Sequence, residues 1–113
     1  QVKTYYNDYL KGTKVVNLHK GITVQFSRKG IEHVLYARKS GAEKLQAVTV
    51  LRQMVKYAVY TNFGEADERD PKHVIGFMNF KVKVRFNNNI HVFRIVVRVT
   101  NAGSFFYDHA VRI

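Results

Sequence analysis

Hydrophobic and polar positions alternate along three stretches near the C-terminus, and they recur at helical spacing in the middle of the chain. Across 74–86, Val82, Val84 and Phe86 share one parity and Lys81, Lys83 and Arg85 the other. A period of two marks a strand with one buried face. Across 90–100, Phe93, Ile95, Val97 and Val99 share one parity. Arg94, Arg98 and Thr100 take the other, with Ile90, Val92 and Val96 among them. Asn87, Asn88 and Asn89 separate these two runs. Asparagine tolerates positive φ, so the runs are read as the arms of a hairpin. Gly103, within 101–104, turns the chain again into a third strand over 105–111.

Upstream, Gly12 and Gly21 bracket a short strand over 14–18, and a second follows over 22–26, with Ile22, Val24 and Phe26 alternating against Thr23 and Gln25. Ser27 offers an N-cap for a short amphipathic helix over 28–37 carrying Ile31, Val34 and Leu35. Ser40 and Glu43 have capping-box spacing and open a main helix over 41–60. Its apolar stripe is Leu45, Val48, Leu51, Val55 and Ala58, flanked by Met54 and Val59. Residues 61–73 hold Gly64, Pro71 and four of the acids, and read as a loop. The Tyr-rich start, 1–13, reads as a flexible or docking arm of a single domain spanning 1–113. The expected class is α+β: two short N-terminal strands, then a short and a long helix packed on one face of an antiparallel C-terminal β-meander.

Composition sharpens this picture. The chain has 113 residues and is 46% hydrophobic, which suffices for one packed core. Lys and Arg number 19 against 8 acids, a net charge of +11. A domain so charged repels itself unless a polyanion opposes it, and phosphate backbones are the commonest polyanions. Strand parity locates the charge. The apolar rows must face the helices, so Lys81, Lys83, Arg85, Arg94, Arg98 and Thr100 meet on the opposite face. On the third strand, Phe106 and Ala110 suit the core parity, while Tyr107 and His109 join the basic face, with Phe105 before them. No acid precedes Asp108 on these three strands. A face that is merely solvated mixes signs, so this one is expected to bind nucleic acid, RNA above all, through cationic phosphate contacts and aromatic stacking.

Cysteine is absent, which excludes disulfides and thiolate metal sites. No apolar run approaches the ~20 residues of a membrane-spanning helix, and the N-terminal stretch has no signal-peptide core. A start at Gln1 suggests a piece of a longer chain. The acids are few and half of them sit in one loop without metal-ligand spacing, so a carboxylate-metal nuclease is disfavoured, and neither metal nor other cofactor is expected. RNA can be cut without one: a base takes the 2′-hydroxyl proton, cations stabilise the phosphorane, and an acid protonates the leaving 5′-oxygen. His109 is weighed between that role and plain RNA contact. His33, on the short helix, is weighed between catalysis and a core-edge or capping position. Lys39, Ser40 and Gly41, at the start of the main helix, offer a phosphate site, although Ser40 is first of all an N-cap. His91 reads as structural, and His73 and His19 as weak signals near strand ends. No Walker or Rossmann fingerprint occurs.

The run from Phe26 to His33, Lys44-Leu45 and Leu51 on the helix, Tyr57-Ala-Val-Tyr60, the charged loop and the final Phe105-Phe-Tyr-Asp-His109 are together similar to small nuclease domains of the BECR superfamily (barnase, EndoU, colicin-type tRNases and RelE-like nucleases). The closest likeness is to versions at the C-termini of polymorphic toxins and large phage or mobile-element polyproteins, and it covers roughly 23–113. The resemblance implies a metal-independent endoribonuclease toxin, often aimed at tRNA and neutralised by a dedicated acidic immunity protein. It implies a monomer apart from that complex, part of a larger secreted or surface-delivered protein, acting in a target-cell cytoplasm and not on a membrane. His33 matches the family's catalytic-histidine position best. Thr100, Tyr107 and His109 match polar positions near the ends of the last strands, and Lys39, Arg94 and Arg98 would be phosphate ligands. Two other readings stand beside this one: a nucleic-acid-binding module without catalysis, and a module that binds an acidic protein.

Overall fold

The computed structural model describes residues 14–26 and 41–113, the side chains of 41–48 and of Phe86 excepted. The elements are β1 (Lys14–Asn17), β2 (Ile22–Gln25), α1 (Gly41–Tyr57), β3 (Val59–Glu65), β4 (Val74–Phe86), β5 (Asn89–Thr100) and β6 (Phe105–Arg112). The strands form one sheet in the order β1-β2-β6-β5-β4-β3. Its neighbours are antiparallel except β2 and β6, which run parallel through Val24↔Phe105 and Gln25↔Phe106.

The apolar periodicities meet where expected. Leu51, Met54 and Val55 of α1, with Ala58 just after it, are buried in one cluster with Val24, Met78, Phe80, Ile95, Val97 and Val99 of the sheet. Burial of such side chains is the main favourable term in folding. The class is α+β in outline, with strand dominant. The β4–β5 hairpin turns on Asn87 (φ 50°) and Asn88 (φ 65°) between the paired residues Phe86 and Asn89. Two successive residues at positive φ make the tight turn whose twist matches the strands it joins.

Three expectations need correction. The sheet is not a three-stranded meander, because the N-terminal hairpin joins it through β6 and a further strand, β3, pairs with β4 at the other edge. The helix ends at Tyr57, short of 60, and residues 59–65, assigned to the helix end and a loop, are strand. A register shift between Tyr60 and Asn62 breaks the alternation that would have announced β3. Thr61, in that shift, donates from Oγ1 to the Asn79 carbonyl at 3.0 Å and ties the irregularity to β4. The third correction concerns β6: Tyr107 lies in the core and Phe106 on the opposite face, the reverse of the expected parity. The expected helix over 28–37 and the arm over 1–13 lie outside the described residues.

The helix stops where it does because its last carbonyls are already taken. Asn17, 1% exposed, donates from Nδ2 to the carbonyls of Val55 (2.8 Å) and Ala58 (2.9 Å), and its Oδ1 accepts from the Lys20 amide (2.9 Å). The Leu18 amide donates to the Lys56 carbonyl at 3.0 Å. Carbonyls at a helix C-terminus have no partner within the helix, and here Asn17 at the end of β1 and Leu18 after it supply donors for Val55 and Lys56 of the helix and for Ala58 just beyond it. The β1–β2 turn also reaches β3, where the Tyr60 amide donates to His19 Nδ1 (2.9 Å) and the Lys20 ammonium lies 4.6 Å from the Tyr60 ring centre. Strands β1 and β3 stand at opposite ends of the sheet order, so these contacts curl the sheet around the helix.

Asn17→Ala leaves two buried carbonyls unmet and is expected to cost about 2–4 kcal/mol, read as a lower urea midpoint with an unchanged slope. A midpoint equal to that of the parent contradicts the role given to this amide. Asn88→Gly relieves a left-handed backbone conformation and is expected to raise stability by about 0.5–1 kcal/mol, whereas Asn88→Val should lower it. The same urea titration separates the two.

A cationic sheet face as candidate nucleic-acid interface

The side of the sheet away from α1 carries the basic rows where parity put them. Lys81, Lys83 and Arg85 are exposed on β4, and Lys81 stands directly across from Arg94 of β5. Like charges at opposed positions destabilise a sheet. Among the described residues, none of Lys81, Lys83, Arg85 and Arg94 makes an ion pair. Among the described residues these cations lack a local counter-charge, which is the electrostatic condition a polyanion relieves.

Among the described residues the one acid on this face is Asp108, and a β-bulge puts it there. Val97 pairs with Tyr107 and Val96 with His109, so Asp108 is the extra residue of β6. In a regular strand, neighbours 108 and 109 would point to opposite faces. The bulge lets both lie on the cationic side. His109 Nδ1 is 2.6 Å from Asp108 Oδ2, and Arg98 Nη1 is 3.7 Å from Asp108 Oδ1. An ionised carboxylate only accepts, so the hydrogen bond places the proton on Nδ1 and leaves Nε2 as the free ring nitrogen. Among the described residues nothing bonds Nε2, and the His109 side chain is 41% exposed. Arg98 lies over the Phe106 ring at 5.2 Å, and its Nε is buried without an acceptor. The Arg98 guanidinium is thus only partly satisfied by Asp108.

The bulge also explains the parity correction. Phe105 and Tyr107 pair with Val99 and Val97 on the core side, and Phe106 pairs with Arg98 on the cationic side. After the extra residue, His109 regains the cationic side and Ala110 the core side, both as expected. Tyr107 is 3% exposed and stacks tilted on Phe26 at 5.3 Å. Burial, reinforced by the nearby Asp108 charge, pushes its phenol up to about 12. Tyr107 is therefore a core residue, separated by the sheet from His109. Thr100 is buried, and its hydroxyl faces the Ser104 backbone at the β5–β6 turn (3.3 Å from the amide, 3.4 Å from the carbonyl). It lies four residues along β5 from the partner of His109, roughly 13 Å away.

The structure therefore brings together Lys81, Lys83, Arg85, Arg94, Arg98 and His109, and sets Thr100 and Tyr107 apart. His33, Lys39 and Ser40 lie outside the described residues. His91 is half-buried with core parity opposite Val84, and His73 lies at the start of β4, where its carbonyl accepts from the Asn101 amide at 2.8 Å. Sequence reasoning missed Asp108 as the partner of His109, and also Phe77 and Phe106 as surface aromatics. The Asp-His dipeptide was visible, but only the bulge puts its two side chains on one side.

Two concavities among the described residues lie away from these cations. The larger, about 670 Å³, lies among Phe63, Ile75 and the acidic loop. The smaller, about 260 Å³, lies between α1 and Val15. The cationic site is an open face, which suits a polymer better than a small molecule. No group of three or more His, Asp or Glu that could hold a metal ion occurs among the described residues.

Comparison with known families adds one match, the model described as large polyvalent protein-associated domain 3, over residues 1–107. The chain belongs to this family. As its description states, the large polyvalent protein-associated domain 3 is a unit associated with large polyvalent proteins, and the description names no nuclease activity. No curated protein and no solved structure matches the chain. No helix among the described residues of this domain is long and apolar enough to cross a membrane.

Burial of the Tyr107 phenol makes a pH prediction. The folded state holds this proton more tightly than the unfolded chain, whose tyrosines titrate near 10. The stabilisation is complete below about pH 10 and is lost as pH rises through about 12. Two units correspond to about 2–3 kcal/mol. Tyr107→Phe should flatten this part of the alkaline stability profile relative to the parent, as followed by circular dichroism; two parallel profiles would contradict it.

Proposed function

We propose that this domain binds RNA on its cationic sheet face and cleaves it without a metal, with His109 as the proton-transfer group. The observation that carries this reading is the Asp108–His109 pair at 2.6 Å, set beside Lys81, Lys83, Arg85 and Arg94, which make no ion pair among the described residues. Asp108 fixes the imidazole tautomer and orientation, and Nε2, unbonded among the described residues on a side chain 41% exposed, is ready to accept a proton. In the proposed step, Nε2 takes the proton of a 2′-hydroxyl and O2′ forms a bond to the adjacent phosphorus. The bond from phosphorus to O5′ breaks, a general acid protonates O5′, and the products are a 2′,3′-cyclic phosphate and a 5′-hydroxyl end. Arg98 and Arg94 offset the charge gathering on the phosphorane oxygens. Lys81, Lys83 and Arg85 hold flanking phosphates.

The resemblance to BECR nucleases supports RNA of the tRNA kind as substrate and an acidic immunity protein as the natural cover for this face. It also supports delivery within a larger secreted or surface-delivered protein to the cytoplasm of a target cell. A second reading, binding without cleavage, is favoured by the separation of Thr100 and Tyr107 from His109. That separation leaves a single histidine on the face among the described residues.

The purified domain, incubated with total tRNA in EDTA, is expected to yield fragments with cyclic phosphate ends. His109→Ala should slow cutting by roughly 10²–10⁴-fold while salt-sensitive binding persists. Each of Lys81→Ala and Lys83→Ala should reduce the salt slope of binding by about 0.7. Intact RNA over a wide enzyme range, with binding retained, would establish the second reading and overturn the first. Absence of any salt-dependent RNA binding would sink both.

A further inference from the structure

One row across the cationic face differs from the others. The register pairs Phe77 of β4 with Arg98 of β5, Arg98 with Phe106 of β6, and Phe106 with Gln25 of β2. Paired residues project from the same face, with Cβ atoms about 5 Å apart. Two aromatic residues therefore flank Arg98 in the register, and its guanidinium lies over the Phe106 ring at 5.2 Å. Phe77 and Phe106 are half-exposed on a side of the sheet that does not face α1. Gln25, half-buried at the end of the row, has a side-chain amide with no hydrogen-bond partner among the described residues.

Planar groups in this arrangement serve a planar ligand. Base stacking on aromatic side chains tolerates any sequence because every base has a π-face, and arginine adds a cation–π contribution. A carboxamide beside the stack offers both a donor and an acceptor for a base edge. The row lies one step along the strands from the Val96↔His109 pair, about 7 Å away. In the other direction from His109, the cation rows of Arg94–Lys81 and Lys83 continue toward the hairpin tip. The face therefore has an aromatic end and a cationic end with the histidine between them.

We propose that Phe77, Arg98 and Phe106 form a stacking subsite for an unpaired base of single-stranded RNA, with Gln25 at its polar edge. The proposal rests on the RNA-binding reading above and adds the form of RNA that is bound. The charge complementarity of the neighbouring rows selects a nucleic acid, and the half-exposed rings select a strand whose bases are not buried in a duplex. A base seated on this row places its own sugar and phosphate toward His109.

The test uses a single-stranded RNA made uncleavable by 2′-O-methylation and carrying one 2-aminopurine, against a fully paired duplex of the same sequence. The parent domain should quench the 2-aminopurine fluorescence and bind the single strand better than the duplex. Phe77→Leu and Phe106→Leu keep apolar bulk while removing the π-face, and circular dichroism confirms that they fold. Each should weaken single-strand binding about ten-fold and lose the quenching, with duplex binding unchanged. If both variants bind and quench like the parent, the stacking subsite is overturned while RNA binding by the face stands. If both lose single-strand and duplex binding equally, the rings act through the fold and the subsite is again overturned. Failure of the parent to bind either RNA overturns the RNA-binding reading, and this proposal with it.

Discussion

The architecture hangs on one buried amide. Asn17 spends its side-chain donors on two carbonyls at the end of α1 and its acceptor on the turn that follows β1. An isolated polar group in such a position would cost several kcal/mol, but here the amide fully meets the helix end. This satisfaction fixes where α1 stops, where β3 starts, and how the β1–β2 hairpin sits against both. Because β1 and β3 are the two edges of the sheet, a contact at their corner also sets the curl of the sheet. Four strands of a flat meander would give the helix less to pack against. The curled sheet encloses Val55 and Ala58 from both ends, leaving them 2% and 1% exposed.

With the core side settled by that packing, the opposite side is free to carry charge. Its chemistry depends on a departure from regular pairing. Alternation by itself delivers rows, cations on one side and apolar groups on the other, and it never places adjacent residues together. The bulge at Asp108 does, and it joins a carboxylate to a histidine in a setting otherwise cationic. The same extra residue turns Tyr107 inward to Phe26 and Phe106 outward to Arg98. One irregularity thus builds the Asp-His pair, the Arg-Phe stack and a core contact at once.

The electrostatic design is polarised. The acidic loop after β3 and the basic rows of β4 and β5 occupy different parts of the molecule. Asp67 answers Arg69 locally, and that neighbouring guanidinium holds its carboxyl below the usual carboxylate range. On the sheet face, Lys81, Lys83, Arg85 and Arg94 have no such local answer among the described residues. Membership of a family associated with large polyvalent proteins provides a setting in which such a domain works beside others on one chain, and among the described residues Lys81, Lys83, Arg85 and Arg94 of the cationic face stand exposed.

Much of this was legible in the linear chain. The alternation of Val82, Val84, Phe93, Ile95, Val97 and Val99 with basic residues determined two strands, their buried side and the location of the charge, because side-chain direction in a strand is fixed by parity alone. The asparagine run determined the hairpin, because few residues accept positive φ. What the sequence could not determine were the features that depend on pairing between distant segments. The strand over 59–65 was hidden by its own register shift, and the parallel joint of β2 to β6 leaves no local signature. Tyr107 and His109, two positions apart, read as sharing a face. Only the partner strand decides whether a residue is inserted between them, and that decision, made by tertiary structure, put one in the core and the other at the candidate site.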